Sequence, residues 1–286
     1  MDGWIRKETE TVTQVTERNG VVLLTFPALD RLGMVRAGFS TRHGGVSTGH
    51  LAEMNFSFGQ GEPKEVVREN YRRAASALGV EPESFVLSHQ THTVNLMMVR
   101  EEDRGTGVFR ERTYDDIDGL LTNARGVTLT TFHADCLPVY LADPVHGAIA
   151  LLHAGWRGTI GQITGHAVRR MGEEFGTRPE DLTAVVGPGI CRECYEIGED
   201  VAERFRSALS AEEAAQVLTD PHRKEDGMHW QLDLGAANRI FLQHAGIPAE
   251  KIHVSGVCTR CNASHLHSYR AAGPLSGRNA AFLSLL

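Results

Sequence analysis

The chain has 286 residues, 41% hydrophobic and 23% charged, an ordinary globular balance that excludes a disordered composition. Its formal charge of −7, with no run of Lys and Arg longer than two residues, excludes the basic stripe that a nucleic-acid surface requires. The residues after Met1 to Lys7 form no apolar signal core, and the apolar run at 147–156 falls short of the ~20 residues of a spanning helix, so neither export nor a membrane is expected and the cytoplasm is the default.

In chain order, residues 21–26 read as a buried strand, followed at 39–47 by a polar turn with two glycines. Pro63 stands before a helix over 65–78, with apolar residues at Val66, Val67, Ala74, Ala75 and Leu78. Two short strands, at 85–87 and 94–99, flank the polar segment Ser88 to Thr93. Three apolar runs at 127–132, 137–141 and 148–152 then read as buried strands sharing one sheet. Gly155, Gly158 and Gly161 break the third, a helix follows at 162–175 before Gly176, and a strand at 182–186 leads into Gly187-Pro188-Gly189. Helices at 199–209, 211–218 and 234–244 precede a last strand at 252–255. Without a βαβ rhythm or a Gly-x-Gly-x-x-Gly after a first strand, a dinucleotide-binding domain is not expected. The expectation is a mixed α/β (α+β) fold in a single domain over 1–286, its core at about 20–286, because no linker, charge block or repeat divides the chain.

The densest polar cluster within apolar sequence is His133-Ala134-Asp135-Cys136, followed by His153 in His153-Ala154-Gly155-Trp156-Arg157-Gly158. Both stand at predicted strand ends, where side chains converge on a shared mouth. Imidazole and thiolate suit zinc, and a catalytic zinc keeps three protein ligands and one open position. Cys136 and His153 supply two donors, and His92, beside a strand in a polar patch, is the third. The alternatives are a buried cysteine with satisfied core histidines, or a Cys136 nucleophile with His153 as its base, oriented by Asp135 or Gln90.

Two Cys-x-x-Cys pairs, Cys191/Cys194 and Cys258/Cys261, suggest metal or redox chemistry in a reducing compartment; the roughly sixty residues between them exceed the spacing of a zinc ribbon. His265-x-His267 resembles the His pairs of copper oxidases, but copper is the less favoured metal because blue-copper and trinuclear centres need further ligands. Arg42, Arg157, Arg270 and Arg278 lie in turns where a guanidinium and backbone N–H groups can meet an anion.

These motifs, together with Gln90-Thr91-His92, Asp118-Gly119-Leu120, Gly187-Pro188-Gly189-Ile190, Cys194 to Gly198, Asn238, Ser268-Tyr269-Arg270 and Gly277-Arg278, resemble the bacterial laccase-domain or polyphenol-oxidase-type family, also called purine nucleoside phosphorylase/adenosine deaminase or peptidoglycan editing factor proteins. The resemblance runs from about residue 20 to the end. It implies packed mixed β-sheets flanked by helices, similar to a cysteine-hydrolase-like toxin fold, and it implies zinc on His92, Cys136 and His153, with His92 taken over His89. It further implies phosphorolysis of purine nucleosides (adenosine, inosine, guanosine, methylthioadenosine) and deamination of adenosine. The partners would be nucleosides and phosphate in a monomer or small homo-oligomer. Asp135, Arg157 and Asp118 become candidate catalytic residues, and Arg42, Gln90 and Arg270 candidate substrate or phosphate contacts. Thr93, Cys191 and the His265/His267 pair depart from the usual pattern. Alternatives in other classes are a hydrolase editing cell-wall precursors, a non-catalytic metal-binding protein and a phenol oxidase.

Overall fold

Strong alternation inside uniformly apolar runs sets the layers of the computed structural model, which describes residues 3–7 and 12–286; Met1 and Asp2 of the amino-terminal segment read above lie outside them. In the strand Leu137–Asp143, Leu137, Val139 and Leu141 face a helix-covered core, while Tyr140 and Ala142 face a second core between two sheets. In Ala148–Ala154 the even positions face the helices, whereas Ile149 and Leu151 join the inter-sheet core. A strand buried on both faces must read as continuous apolar sequence, which is how these two read.

The first sheet has the order Gln14–Arg18, Val21–Thr25, Val35–Ser40, Asn279–Leu285, Thr128–His133, Phe85–Leu87. The second runs Ile252–Val254, Thr183–Val186, Leu137–Asp143, Ala148–Ala154, Gly119–Thr122, Leu96–Met98. Both mix parallel and antiparallel pairs. The helix Lys64–Leu78 covers the outer face of the first sheet through Val67, Tyr71, Ala74 and Leu78. Helices Ile163–Phe175 and Leu234–His244 cover the outer face of the second, and Glu199–Ala208 and Ala211–Val217 join the same apolar cluster. Mixed sheets packed face to face and flanked by helices are the architecture expected from the sequence. No helix among the described residues is long and apolar enough to cross a membrane.

Four local expectations are corrected. The runs at 127–132, 137–141 and 148–152 do not share a sheet: Thr128–His133 pairs with Asn279–Leu285 and Phe85–Leu87 in the first, while the other two pair with each other in the second. The chain changes sheet at Asp135, whose φ of 96° turns it out of extended backbone. The strand at 252–255 is not the last. Asn279–Leu285, buried at every position, lies centrally in the first sheet, its register set by partners more than a hundred residues away. A third sheet, Glu196–Gly198, Gly227–Leu232 and Leu218–Lys224, escapes a reading based on apolar runs because its outer strand is largely polar. Trp156–Ile160 forms a short helix inside the glycine-rich stretch read as a break.

Phe282 is fully buried in the Asn279–Leu285 strand, with ring centroids of Phe56 and Phe85 each 5.4 Å away. Phe282→Ala should lower unfolding free energy by about 3–5 kcal/mol, read as an earlier urea midpoint at unchanged slope.

Candidate active site

The change of sheet at Asp135 delivers Cys136 to the edge of the space between the two sheets. His153 ends the odd-numbered face of Ala148–Ala154 that carries Ile149 and Leu151, so it points into the same space. His92 arrives on the loop between Phe85–Leu87 and Leu96–Met98, in a left-handed backbone conformation of φ 67°. One side-chain donor atom from each of these three residues lies within 4.8 Å of the others.

Asp118 organises two of the three donors. Its carboxylate accepts the backbone N–H groups of Thr91, His92 and Thr93 at 3.0, 3.1 and 2.9 Å and the Thr93 hydroxyl at 2.9 Å, holding the strained loop in place. It also accepts His153 Nδ1 at 2.8 Å, which leaves Nε2 to face Cys136. This is the carboxylate–imidazole arrangement that orients histidine ligands in metal centres. Burial opposes ionisation of Asp118, yet His153 and the converging N–H groups outweigh it and bring its pKa to about 2. An acid held this firmly ionised positions its neighbours and is a poor proton donor.

Burial likewise opposes ionisation of Cys136, but the charges and hydrogen bonds of His153 and His92 draw its pKa down to about 6. Burial disfavours the charged form of His153, but the Cys136 thiolate and Asp118 raise its pKa to about 9. Without a cation the two therefore form a thiolate–imidazolium pair. His133 lies beneath them, its ring nitrogens 3.0 Å from the Cys136 carbonyl and 2.8 Å from the Thr131 hydroxyl; burial, reinforced by His153, holds it well below the usual range and hence neutral. Gly155 closes the site from the other side. A Cβ there would lie 2.9 Å from Cys136 Sγ and 3.0 Å from His92 Cδ2, so the backbone can come this close only without a side chain.

The three donors face a cavity of about 710 Å³, bounded by Phe132, Trp156, Tyr195 and Tyr269 as aromatic surface, by Arg112, Arg270 and Arg278 as cations, and by Ser88 and Gln90. Gln90 is clamped along the first sheet, exchanging hydrogen bonds with the backbone of Phe132 at 2.7 Å each way. Arg270 stacks over Tyr195 at 5.0 Å. Burial lowers the pKa of Arg278, and the nearby Cys136 and Asp135 offset part of that effect. Arg112 keeps a buried Nε without a hydrogen-bond partner among the described residues.

The remaining sequence candidates are placed differently. The guanidinium of Arg42 donates to the carbonyls of Ala52, Ala263 and His50, outside the cavity wall. Arg157 is exposed, stacked 4.3 Å from the Trp156 ring centroid and absent from the cavity lining. Asp135 borders the cavity, but its carboxylate accepts the hydroxyls of Thr259 and Ser268 and the backbone N–H of Arg270, each at 2.6 Å, and so latches three segments together. His265 meets His43 at 2.8 Å and His267 meets the Met54 carbonyl at 3.0 Å, which gives this His-x-His pair structural partners. Arg112 stands in no motif and carries no spacing signal, while Trp156 and Tyr195 lie in the motifs at 153–158 and 194–198, which by themselves give no role to an aromatic ring.

The chain belongs to the family described as multi-copper polyphenol oxidoreductase laccase, whose model matches residues 36–286. It is 38% identical over 266 residues to a purine nucleoside phosphorylase of Deinococcus radiodurans, covering 93% of this chain and 94% of that one. It is 35% identical over 205 residues to adenosine deaminase RL5 of an unknown prokaryotic organism, covering 71% and 76%. The crystal structure of YlmD from Geobacillus stearothermophilus superposes with a TM-score of 0.85 at 33% identity, over 96% of this chain and 98% of that one.

These findings correct the preference for zinc over copper. The matching family is described by its copper chemistry, and the fold assembles a four-sulfur cluster from Cys191, Cys194, Cys258 and Cys261, donors of the soft kind that copper(I) favours, so the metal evidence points to a copper-type site.

In chelator-treated protein, alkylation of Cys136 should rise as pH passes about 6, because the depressed pKa keeps the thiolate present above that value; the Cys136→Ser protein supplies the background rate. A midpoint in the ordinary thiol range of about 8.5 would show that the ion pair does not form.

Proposed function

We propose that the chain is a purine nucleoside phosphorylase that also deaminates adenosine, with adenosine, inosine, guanosine and methylthioadenosine as the substrate class. The observation that carries this reading is the set of His92, Cys136 and His153 at the floor of a cavity whose walls offer both aromatic faces and arginines. The names of the two curated relatives support it. A volume of about 710 Å³ is in the range of small-molecule sites and can admit a nucleoside together with phosphate.

His92, Cys136 and His153 would hold one metal ion, since two imidazoles and a thiolate converge with room kept by Gly155. A bound metal ion would supply Lewis-acid activation at the reacting centre. The protein's own contribution is positioning. Asp118 fixes the ring orientation of His153 and the 91–93 loop, so two donors are preorganised before any ligand enters. Phe132, Tyr195 and Trp156 present flat apolar surface on which a purine stacks. Arg278, Arg270 and Arg112 meet phosphate, whose oxygen attacks ribose C1′ as the bond to the purine breaks and the departing base takes up a proton. In deamination, water adds at C6 of adenine and ammonia leaves. A second reading, copper-dependent oxidation of phenols, is favoured by the family description and is distinguished by oxygen uptake with a phenol as substrate.

The test is adenosine turnover with and without phosphate. Phosphate-dependent release of adenine with ribose 1-phosphate, accompanied by inosine, is the expected result. Turnover of a muramyl-amino acid that is indifferent to phosphate would replace this reading with cell-wall editing. Arg278→Gln should raise the KM for phosphate about tenfold or more, because a hydrogen bond to a charged group contributes ~1.5–3 kcal/mol. Gly155→Ala should lower metal content and activity, read by elemental analysis and adenosine turnover, since its Cβ meets the donor atoms themselves.

A further inference from the structure

Four cysteines that play no part in the cavity chemistry come together on the far side of its wall. Strands Thr183–Val186 and Ile252–Val254 run parallel and adjacent, in the register Ala184 to Ile252, Val185 to His253 and Val186 to Val254. The loops that follow must therefore leave the sheet side by side. A bridge between Gly189 and Cys258 prolongs the pairing, with Thr259 N–H donating to the Gly189 carbonyl at 3.0 Å. Each loop then presents a Cys-x-x-Cys turn. About sixty residues of intervening sequence hide this pairing, and the parallel strands cancel the separation.

The sulfur geometry is that of a ligand cage. Cys261 Sγ lies 3.5 Å from Cys194 Sγ and 3.9 Å from Cys191 Sγ, and all four sulfurs lie within 4.8 Å of one another. A tetrahedron with metal–sulfur bonds of ~2.3 Å has edges of ~3.8 Å, between those two values. A disulfide would require ~2.05 Å, and all five cysteines are free. Cys258 Sγ also accepts the backbone N–H groups of Cys191 at 3.3 Å and Cys261 at 3.4 Å, which fix its place in the cage. Lys7 pairs with Glu193 at 2.6 Å and hydrogen-bonds Cys191, bringing one positive charge to a cage of four potential negative ones. A second cavity, about 690 Å³, opens beside Cys191 and Cys258 and gives an ion a way in.

We propose that Cys191, Cys194, Cys258 and Cys261 form a second, closed metal site that takes one thiophilic cation of tetrahedral preference and braces the wall of the active-site cavity. Each ligating thiol releases its proton to solvent as the ion enters. With four protein donors the site keeps no position for substrate, so its role is structural. Its reach is short. Ile190, next to Cys191, donates its N–H to the Asp135 carbonyl at 2.8 Å, and Thr259, next to Cys258, donates its hydroxyl to the Asp135 carboxylate at 2.6 Å. Both loops are thus fastened to the residue that precedes Cys136, while Ile190 and Tyr195 face the cavity itself. Copper(I) and zinc(II) share the soft-donor chemistry, and elemental analysis tells them apart.

The deciding experiment uses Cys136→Ser, which removes a donor from the cavity site and leaves the four-sulfur cage intact. Purified without added metal, it should retain about one ion per chain, and its four remaining cysteines should resist alkylation until a strong chelator is added. Cadmium exchanged into it should give a single NMR resonance in the four-sulfur range. Cys194→Ser in the otherwise unaltered chain should lose one ion relative to wild type and melt at lower temperature. Should that variant fail to fold, the Cys136→Ser measurements decide alone. The proposal is overturned if Cys136→Ser stays metal-free after anaerobic incubation with copper(I) and with zinc(II) while its thiols alkylate at once, or if mass spectrometry finds Cys194 and Cys261 joined as a disulfide.

Discussion

At Asp135 the chain leaves one sheet and enters the other, and the position of Cys136 in the cavity follows from that crossing. The residue is held at φ 96°, where a side chain other than glycine's costs of order 1–3 kcal/mol. That strain is offset by what surrounds it. The carboxylate accepts three hydrogen bonds of 2.6 Å from Thr259, Ser268 and Arg270, and the carbonyl accepts one of 2.8 Å from Ile190. Four contacts on two loops and a short helix thus converge on one residue, and the next residue is Cys136. The corner keeps its cysteine at the mouth of the inter-sheet space through these four hydrogen bonds.

The electrostatics of the site are layered in the same way. Asp118 is fully buried and held ionised at the loop that carries His92, and through His153 its charge reaches Cys136. Each member would be costly to bury alone; together they compensate one another, with His133 kept neutral beneath. Removing Asp118 would therefore disturb two donors at once. The family description and the four-cysteine cage shift the metal question toward copper, and the two donor sets differ in kind: one mixes nitrogen and sulfur beside an open cavity, the other is all sulfur and closed.

Much of the site was legible because its residues belong to contiguous motifs. His153 through Gly158 and His133 through Cys136 are polar islands at strand ends, and the Gln90 to His92 segment lies between two short strands. Arg42 and Arg157 look the same in sequence as Arg270 and Arg278, a guanidinium in a small-residue turn, yet the first two are occupied elsewhere. What separates them is which carbonyls and rings reach them first, and that depends on chain segments distant in sequence.

The sequence by itself determined several buried strands and the main helices, because apolar runs and helix-capping glycines are local properties, and it offered His92, Cys136 and His153 as candidates through motifs at strand ends. Only the tertiary structure decided that Thr128–His133 and Leu137–Asp143 lie in different sheets, that Asn279–Leu285 is central, and that Cys191 and Cys194 meet Cys258 and Cys261. Those outcomes rest on pairing between segments tens to hundreds of residues apart. A strand buried on both faces carries no mark of its partner, so the choice falls to packing.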